Sequence, residues 1–318
     1  MRILAILLGL LAVAPPWARG ASTPDAAACV VSCMQAAIDA LAARGITLDS
    51  NTACRAAVLA AARSADPRAE LLYPADQVAT PASSVEKAEE WTGGVRYLKL
   101  RATDADASTN VEERVNAWLL QQCTGLILDL RNAAGNNLAT VDRMTAFFTG
   151  DTGALYVVRS SRNPPETHAG ASPSRWRAAV PLLVLTDGDT RDGSELLASL
   201  LRGRSGIMLI GEATRGDAAA REVVRWGEHE GLWIATGRIE LPQGPAYDPG
   251  GVTPDVFIEK GADSAPQEKL PEETATGRPL SARAREDRAL LHRTDGDAAL
   301  RRALEILLAL KAVRVQTK

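Results

Sequence analysis

Short apolar runs constrain the fold of this chain more than any other feature. Val180 to Leu185 and Ile207 to Ile210 contain no charged residue, and Gly125 to Leu130 is apolar except for an acid near its end. Runs of this kind are typical of strands that are covered on both faces. Leu138 to Phe148 and Ser194 to Leu201 have the apolar spacing of helices. This alternation of strands and helices predicts a layered α/β domain.

Neighbouring segments extend the α/β pattern. Gly94 to Leu100 alternates apolar and basic residues, as a half-buried strand does. Thr109 to Glu112 has the form of a capping box that opens a helix. Glu222 to Trp226 and Leu232 to Ile239 predict a hairpin, and the polar stretch from Ser160 to Ser174 predicts an exposed loop.

The rest of the chain divides by composition. Alanine-rich segments at Asp25 to Arg44 and Asn51 to Arg63 predict a helical hairpin. Three prolines between Ala65 and Trp91 should break any regular element and mark a linker. Asp297 to Ala312 places leucines at helical spacing, which predicts a helix packed on the core. We therefore expect a signal peptide (1–20), a helical N-terminal region (21–66), a linker (67–92), a core domain (93–262), a flexible connection (263–280) and a C-terminal helical segment (281–318).

The N-terminus predicts export. Arg2 precedes an apolar segment from Ile3 to Val13, and Ala18-Arg19-Gly20 has the small residues of a cleavage site. The mature protein would then lie in the periplasm or cell envelope, or be secreted. A lipobox-like Ala26 to Cys29 offers an alternative, although it lies far beyond the apolar segment. No later stretch is long and apolar enough for a transmembrane helix in the mature chain.

Export permits disulfides, and the pairing of the cysteines is open at this point. Two alternatives are open for Cys29, Cys33 and Cys54. Either all three are small buried side chains, or one of the first two forms a disulfide with Cys54. No histidine or acid flanks them at ligand spacing, which argues against zinc. Cys123, which leads into a predicted core strand, should be a buried free thiol.

The charge balance argues against a nucleic-acid partner. The formal net charge is −3, with 36 basic and 39 acidic residues spread along the chain. Such a protein presents no strong positive field toward a polyanion.

Four segments, in order, resemble the core of the C-terminal processing (tail-specific) peptidases. They are VRYLKL (95–100), TGLILDLRNAAGNN (124–137), the stretch from Pro181 to Asp217 that contains TDGDTRDGSELL and GEATRGD, and GVTPDV (251–256). The resemblance implies a crotonase-like α/β peptidase core, a layered sheet with helices, preceded here by the helical hairpin and followed by the C-terminal helix. It also implies that the family's peptide-binding PDZ module is absent, because Ala65 to Gly93 is too short to contain one.

The resemblance implies that the catalytic residues have been replaced. These peptidases use a serine nucleophile, a neutral lysine as base and a glutamine that orients the lysine. When Glu195 and Gly216 fix the register, the serine position holds Asp192, the lysine position holds Asp217 and the glutamine position holds Arg221. An aspartate offers neither a nucleophilic hydroxyl nor an amine base, so we expect no catalytic residue among them. Of the paired glycines in the family's oxyanion region, one remains at Gly135 and the other is Asn136.

Several roles are open for the acids. Asp192 to Glu195 has the form of a helix N-cap with a reciprocal glutamate. Asp192, Asp217 and Arg221 could also converge, with the arginine neutralising both acids. That arginine argues against a shared proton of the aspartic-protease type. Asp187, Asp189 and Asp192 form a weak candidate for a cation site, although alternating acids before a helix are more often a solvated turn.

These observations predict a non-catalytic protein that binds or scaffolds peptides, an exported pseudoprotease that needs no cofactor and no metal. An extended peptide or a protein C-terminus is the partner that the resemblance implies. The alternative is an active serine-type endopeptidase that processes envelope proteins, as the resemblance alone implies. A hydroxyl or amine aimed into the pocket beside Asp192 would favour the enzyme.

Overall fold

The computed structural model describes residues 24–46, 49–72, 83–160, 162–170, 176, 180–225, 229–242, 244–245, 250–261 and 281–316. The predicted signal peptide and the predicted flexible connection after residue 262 lie outside these residues. By their contacts the described residues form two compact units, and each unit is built from separate stretches of the chain. The larger unit draws on Pro81–Val157, Thr167–Ala218 and Ile239–Lys318, and the smaller on Met1–Thr80, Val158–Glu166 and Ala219–Arg238.

A six-stranded sheet forms the core of the larger unit. The strand order is β12-β8-β7-β4-β3-β2, in which all neighbours are parallel except the β3–β2 pair. The strands are β2 (Val85–Glu90), β3 (Val95–Leu100), β4 (Gly125–Asp129), β7 (Leu182–Thr186), β8 (Ile207–Gly211) and β12 (Val256–Phe257). All five residues of β4 and of β7 are buried, as their largely apolar sequences predict.

Helices supply the rest of the hydrophobic core of this unit. They are α3 (Ala107–Leu120), α4 (Leu138–Thr149), α5 (Asp192–Leu201), α6 (Ala282–His292) and α7 (Ala298–Gln316). Leu300, Leu304 and Leu307 of α7 pack in one cluster with Ile127 of β4 and Leu183 of β7. The leucine spacing of the tail therefore belongs to core packing. Helices α4 and α5 contact each other.

A partly buried polar network joins α7 to the end of β4. Arg131 binds Asp129 through Nη2 at 2.6 Å and Asp297 through Nη1 at 2.8 Å. Asp297 also accepts a hydrogen bond from the backbone N–H of Leu300, in the first turn of α7. Tyr97 donates to Asp129 at 2.8 Å. Burial, reinforced by the charge of Asp129, raises the pKa of Tyr97 far above its ordinary value.

The smaller unit contains two helices where the sequence predicts them, and an antiparallel hairpin of strands. Its helices are α1 (Pro24–Ala42) and α2 (Ser50–Ala65), and its strands include β1 (Glu70–Leu72), β9 (Ala220–Arg225) and most of β10 (Gly231–Leu241). β10 pairs with both β1 and β9. The second sheet has the order β1-β10-β5-β6, with β5 (Ala154–Ser160), β6 (Glu166–Ala169) and a two-residue β11 (Gly244–Pro245) on β10.

Three local predictions are wrong. The proline-containing stretch after Ala65 holds two strands, β1 and β2, because the prolines lie outside the strands themselves. The predicted loop from Ser160 to Ser174 contains β6, a short strand that pairs with a neighbour despite its polar sequence. Helix α3 starts at Ala107, two residues before the predicted capping box, and its N-cap Asp106 makes no side-chain cap bond.

The structure decides part of the cysteine question. Cys54 is a free thiol, so the predicted bridge to it is not formed, and Cys33 is exposed and not buried. The side chain of Cys29 lies outside the described residues. Cys123 is a free thiol as predicted, although only partly buried, and burial raises its pKa. Among the described residues no helix has the length and apolarity to cross a membrane.

Candidate functional site

The predicted site residues of the larger unit lie on loops that follow three parallel strands. Gly135 and Asn136 follow β4, Asp192 follows β7, and Asp217 follows β8. Because β4, β7 and β8 are neighbours in a parallel sheet, their carboxyl ends lie along one edge. The topology therefore brings these loops together.

Asp192 starts α5 in a backbone conformation that is rare for a residue with a side chain. Its φ is +51°, and the N-cap of the helix is Arg191, which makes no side-chain cap bond. The predicted N-cap role of Asp192 is therefore wrong. A non-glycine residue in the left-handed region is strained, and such strain clusters at functional sites. The Asp192 side chain is 16% exposed, and its Oδ2 lies 3.7 Å from Nε of Arg191.

The two acids at the predicted dyad positions are in contact. The backbone N–H of Asp192 donates to Oδ1 of Asp217 at 3.3 Å. The convergence of these positions across 25 residues of sequence is confirmed. The contact joins the main chain of Asp192 to the carboxylate of Asp217. The charge on Asp217 therefore gains a hydrogen-bond donor.

Glu195 anchors the loop that carries Asp217. Its side chain is fully buried and accepts hydrogen bonds from the backbone N–H groups of Gly216 at 2.6 Å, Asp217 at 2.8 Å and Ala218 at 3.1 Å. The Thr214 hydroxyl donates to the same carboxylate. Glu195 is not the reciprocal partner in a capping box. It fixes the Thr214–Ala218 loop against α5 and thereby sets the position of Asp217 relative to Asp192.

The oxyanion region is closely packed. Gly135 has a φ of +96°, and a Cβ there would lie 2.4 Å from the backbone nitrogen of Thr103, so only glycine fits. The backbone N–H of Gly193 donates to the carbonyl oxygen of Gly135 at 2.6 Å. This N–H follows the predicted nucleophile position, where a peptidase would aim a donor at the developing oxyanion. Here it already has an acceptor from the protein.

Ser194, the hydroxyl nearest to the nucleophile position in sequence, is committed to packing. Its Oγ donates to the carbonyl oxygen of Ala134 at 2.5 Å, and the residue has no exposed surface.

The weak cation candidate is engaged in other contacts. Oδ1 of Asp187 accepts from the backbone N–H groups of Asn132 and Asp189, both at 3.0 Å. The Asp189 carboxylate lies 3.1 Å from Nη2 of Arg215. No group of three acidic, histidine or cysteine side chains suited to a metal occurs in the part of the chain that the structure describes. Asp187 therefore closes the turn before α5, which is the role of a structural acid.

Arg221 has a partner that the sequence did not indicate. Its Nη1 donates to Oδ2 of Asp66 at 2.8 Å, and the two side chains are 4% and 10% exposed. Asp66 also accepts from the backbone N–H of Ala235 at 2.9 Å. These contacts lie within the smaller unit, where Asp66 ends α2 and Arg221 lies on β9. The predicted pairing of Arg221 with Asp217 or Asp192 concerns residues of different units and stays a prediction.

Sequence reasoning missed two buried acids with positioning roles. Glu195 was predicted only as the reciprocal residue of a helix cap and as a marker of the register, and Asp66 carried no motif. Neither role has a local sequence signal, because the partners of each acid lie far away in the chain. Burial of a charged side chain with several donors is a feature that only the fold reveals.

Comparison with known proteins agrees with the fold. Residues 94–258 match the sequence profile of peptidase family S41. The carboxyl-terminal-processing peptidase 2 of Arabidopsis thaliana chloroplasts is 27% identical over 161 residues, which are 51% of this chain and 31% of that protein. A carboxyl-terminal-processing protease of Synechocystis is 26% identical over 166 residues, which are 52% and 38% of the two chains. The chain spans about a third of the length of the curated relatives it matches.

Solved structures show the same fold at low identity. A lipoprotein from Streptococcus agalactiae superposes with a TM-score of 0.58 at 17% identity, covering 81% of this chain and 91% of the other. A putative S41 protease from Bacteroides fragilis superposes with a TM-score of 0.54 at 16% identity, covering 73% and 59%. The α/β core with its parallel sheet is therefore that of S41 peptidases. Since the family profile covers just over half of the 318 residues, the chain belongs to peptidase family S41.

Proposed function

We propose that this protein is an exported member of family S41 that binds extended peptides or protein C-termini and does not cleave them. The observation that carries the proposal is the contact of Asp192 with Asp217 at the positions where the family places its serine and lysine. A carboxylate lacks the attacking hydroxyl of the serine, and a second carboxylate lacks the free amine that would take the proton. The loops that form the site are nevertheless kept in place.

The packing around these acids supports the proposal. The Gly193 N–H, which would stabilise an oxyanion, donates to Gly135. The Ser194 hydroxyl donates to Ala134 and is buried. Both groups are engaged within the protein, so the Gly193 N–H is not available as an oxyanion donor and the Ser194 hydroxyl is not available as a replacement nucleophile.

The choice of ligand rests on the family. The S41 relatives from Arabidopsis and Synechocystis are named for the processing of carboxyl termini. A protein that keeps such a fold without the reactive groups retains the means to pair an extended chain with backbone groups. Export, which the N-terminal sequence favours, would place this protein where unfolded or tail-bearing envelope proteins occur.

A binding assay with a cleavage readout tests the proposal. Fluorescently labelled unstructured peptides with free or amidated C-termini would be titrated with the mature protein, and anisotropy would report binding. The same mixtures would then be analysed by mass spectrometry. Binding with every peptide intact is the expected result. Peptide fragments that grow with protein concentration would show an active endopeptidase, and no binding of any peptide would remove the recognition role.

A further inference from the structure

A histidine and a buried acid, remote in sequence from the dyad positions, form a titratable pair in the larger unit. His168 lies on β6, and its Nδ1 is 2.8 Å from Oδ2 of Asp142 on α4. The two side chains are 13% and 11% exposed. The imidazole also stacks on the ring of Tyr156 of β5, with centroids 4.6 Å apart and planes 10° from parallel.

The carboxylate of Asp142 depends on His168 for charge compensation. Its Oδ1 is buried and accepts no hydrogen bond from any residue that the structure describes. A buried carboxylate with one oxygen unbonded is costly unless a cation lies beside it. Burial alone would favour the neutral imidazole, but the contact with this carboxylate favours the imidazolium, and a contact at 2.8 Å in a poorly solvated place is the stronger effect.

Among the residues that the structure describes, Asp142 forms an ion pair with no cation other than His168. Arg143, the next residue on α4, lies 3.1 Å from Glu112 of α3. Asp151, in the turn after α4, lies 2.6 Å from Arg204. Tyr156 is the group that faces His168 from β5, and phenols ordinarily stay neutral below about pH 10. On β6 itself, Glu166 lies two residues before His168.

We propose that His168 and Asp142 form a pH-dependent latch that holds β6 on α4 more firmly at pH 6 than at pH 8. When the charged form of a histidine gains a partner on folding, it adds stability to the folded state. This added stability is complete below the ordinary histidine pKa of about 6.5. That stability is lost as the pH rises through the higher pKa that such a histidine has in the folded state. At pH 8 the neutral ring keeps a hydrogen bond at best, and the acid loses its counter-charge.

The position of the latch gives it a consequence for the candidate site. Helix α4 begins at Leu138, directly after the loop of Gly135 and Asn136, and it packs on α5, which carries Asp192. A change in how β6 is held on α4 would therefore act on an element that leads out of the site. This is a conformational device of the fold, and it does not depend on whether the site binds peptides.

Amide hydrogen exchange on the full chain tests the latch. Protection factors for a peptide that covers β6 would be compared at pH 6.0 and pH 8.0, after correction for intrinsic exchange rates. The parent should show protection about three- to tenfold higher at pH 6.0, since one unit of linked pKa change is worth at most about tenfold. His168→Asn and Asp142→Asn should each reduce this ratio to about one.

A matched histidine–aspartate pair provides the control. His292 Nδ1 lies 3.2 Å from Asp295 Oδ2, but the side chains are 59% and 46% exposed, so His292→Asn should leave the ratio for β6 as in the parent. Equal protection of β6 in the parent at both pH values would overturn the proposal, whether or not the variants fold. A ratio retained in His168→Asn would overturn it as well.

Discussion

The backbone N–H of Asp192 donates to the carboxylate of Asp217 at 3.3 Å, across 25 residues of sequence. This contact joins the first turn of α5 to the loop after β8. Glu195 holds the same loop by three backbone hydrogen bonds, one of them to Asp217 itself. The positions that the family register assigns to a nucleophile and a base are thus in contact, and both hold acids.

The strained backbone of Asp192 predicts an unusual order of stability among variants. Because φ is +51°, Asp192→Gly should be more stable than Asp192→Ala by about 1 kcal/mol, since a Cβ is disfavoured in the left-handed region. Chemical denaturation of both variants measures the difference. At Asp189, which has no positive φ, the order should reverse. An alanine variant at position 192 as stable as the glycine variant would contradict the strain.

The anchoring role of Glu195 predicts a large loss of stability when a similar side chain replaces it. Glu195→Gln keeps the shape but sets an amide donor against backbone N–H groups, which should cost about 2 to 4 kcal/mol of unfolding free energy. Glu305→Gln, on the exposed side of α7, is the control and should cost less than about 0.5 kcal/mol. Near-parent stability of Glu195→Gln in a urea titration would mean that the anchor is dispensable.

The buried Arg221–Asp66 pair predicts strong coupling. Removing one partner, as in Arg221→Ala, leaves a poorly solvated charge and should destabilise by about 3 to 5 kcal/mol. Adding Asp66→Asn should recover part of this loss, so the two changes are not additive. A double-mutant cycle by thermal unfolding measures the coupling. Strict additivity would show that Asp66 is not the partner that matters for Arg221.

The raised pKa of Tyr97 predicts a loss of stability in alkali. The folded state binds the phenolic proton more tightly than the unfolded state, so the stabilisation is complete below about pH 10. It should be lost above pH 10, by up to about 1.4 kcal/mol per pH unit. Tyr97→Phe should have a shallower slope between pH 9.5 and 11 in denaturant titrations. Equal slopes for parent and variant would contradict the assignment.

Restoring the dyad alone should not restore catalysis. Asp192→Ser combined with Asp217→Lys supplies the nucleophile and the base, but the Gly193 N–H still donates to Gly135 and Asn136 stays in the oxyanion region. Without that donor, acyl transfer loses about 10²- to 10³-fold. Robust cleavage of an unstructured polypeptide by this double variant would show that the oxyanion region is intact.

Sequence alone predicted the parts of the structure that are encoded locally or by family pattern. The apolar runs gave β4, β7 and β8, and the family register placed Asp192 beside Asp217. Prediction from the sequence failed where contacts between residues far apart in the chain determine the role of a side chain. Glu195 was read as a cap because its sequence neighbours suit a cap, whereas its bonding partners lie about twenty residues away.

Weak local patterns explain the other misses. β6 has a polar sequence and forms a strand because it pairs with a neighbouring strand. The prolines between Ala65 and Trp91 did not prevent β1 and β2 from forming. Asp66 has no motif around it, so no reading of the sequence could have assigned it to Arg221. In each case the stabilising contact is made with a residue that lies far away in the sequence.

The most direct test of recognition without turnover is a time course of intact mass. The mature protein would be incubated in excess with an unstructured polypeptide that it binds, beside an active S41 peptidase as positive control. We predict that the polypeptide keeps its full mass for as long as the control needs to degrade it completely. Fragments that appear with the parent protein and vanish with Asp192→Asn would contradict the proposal, because they would make Asp192 part of a working catalytic site.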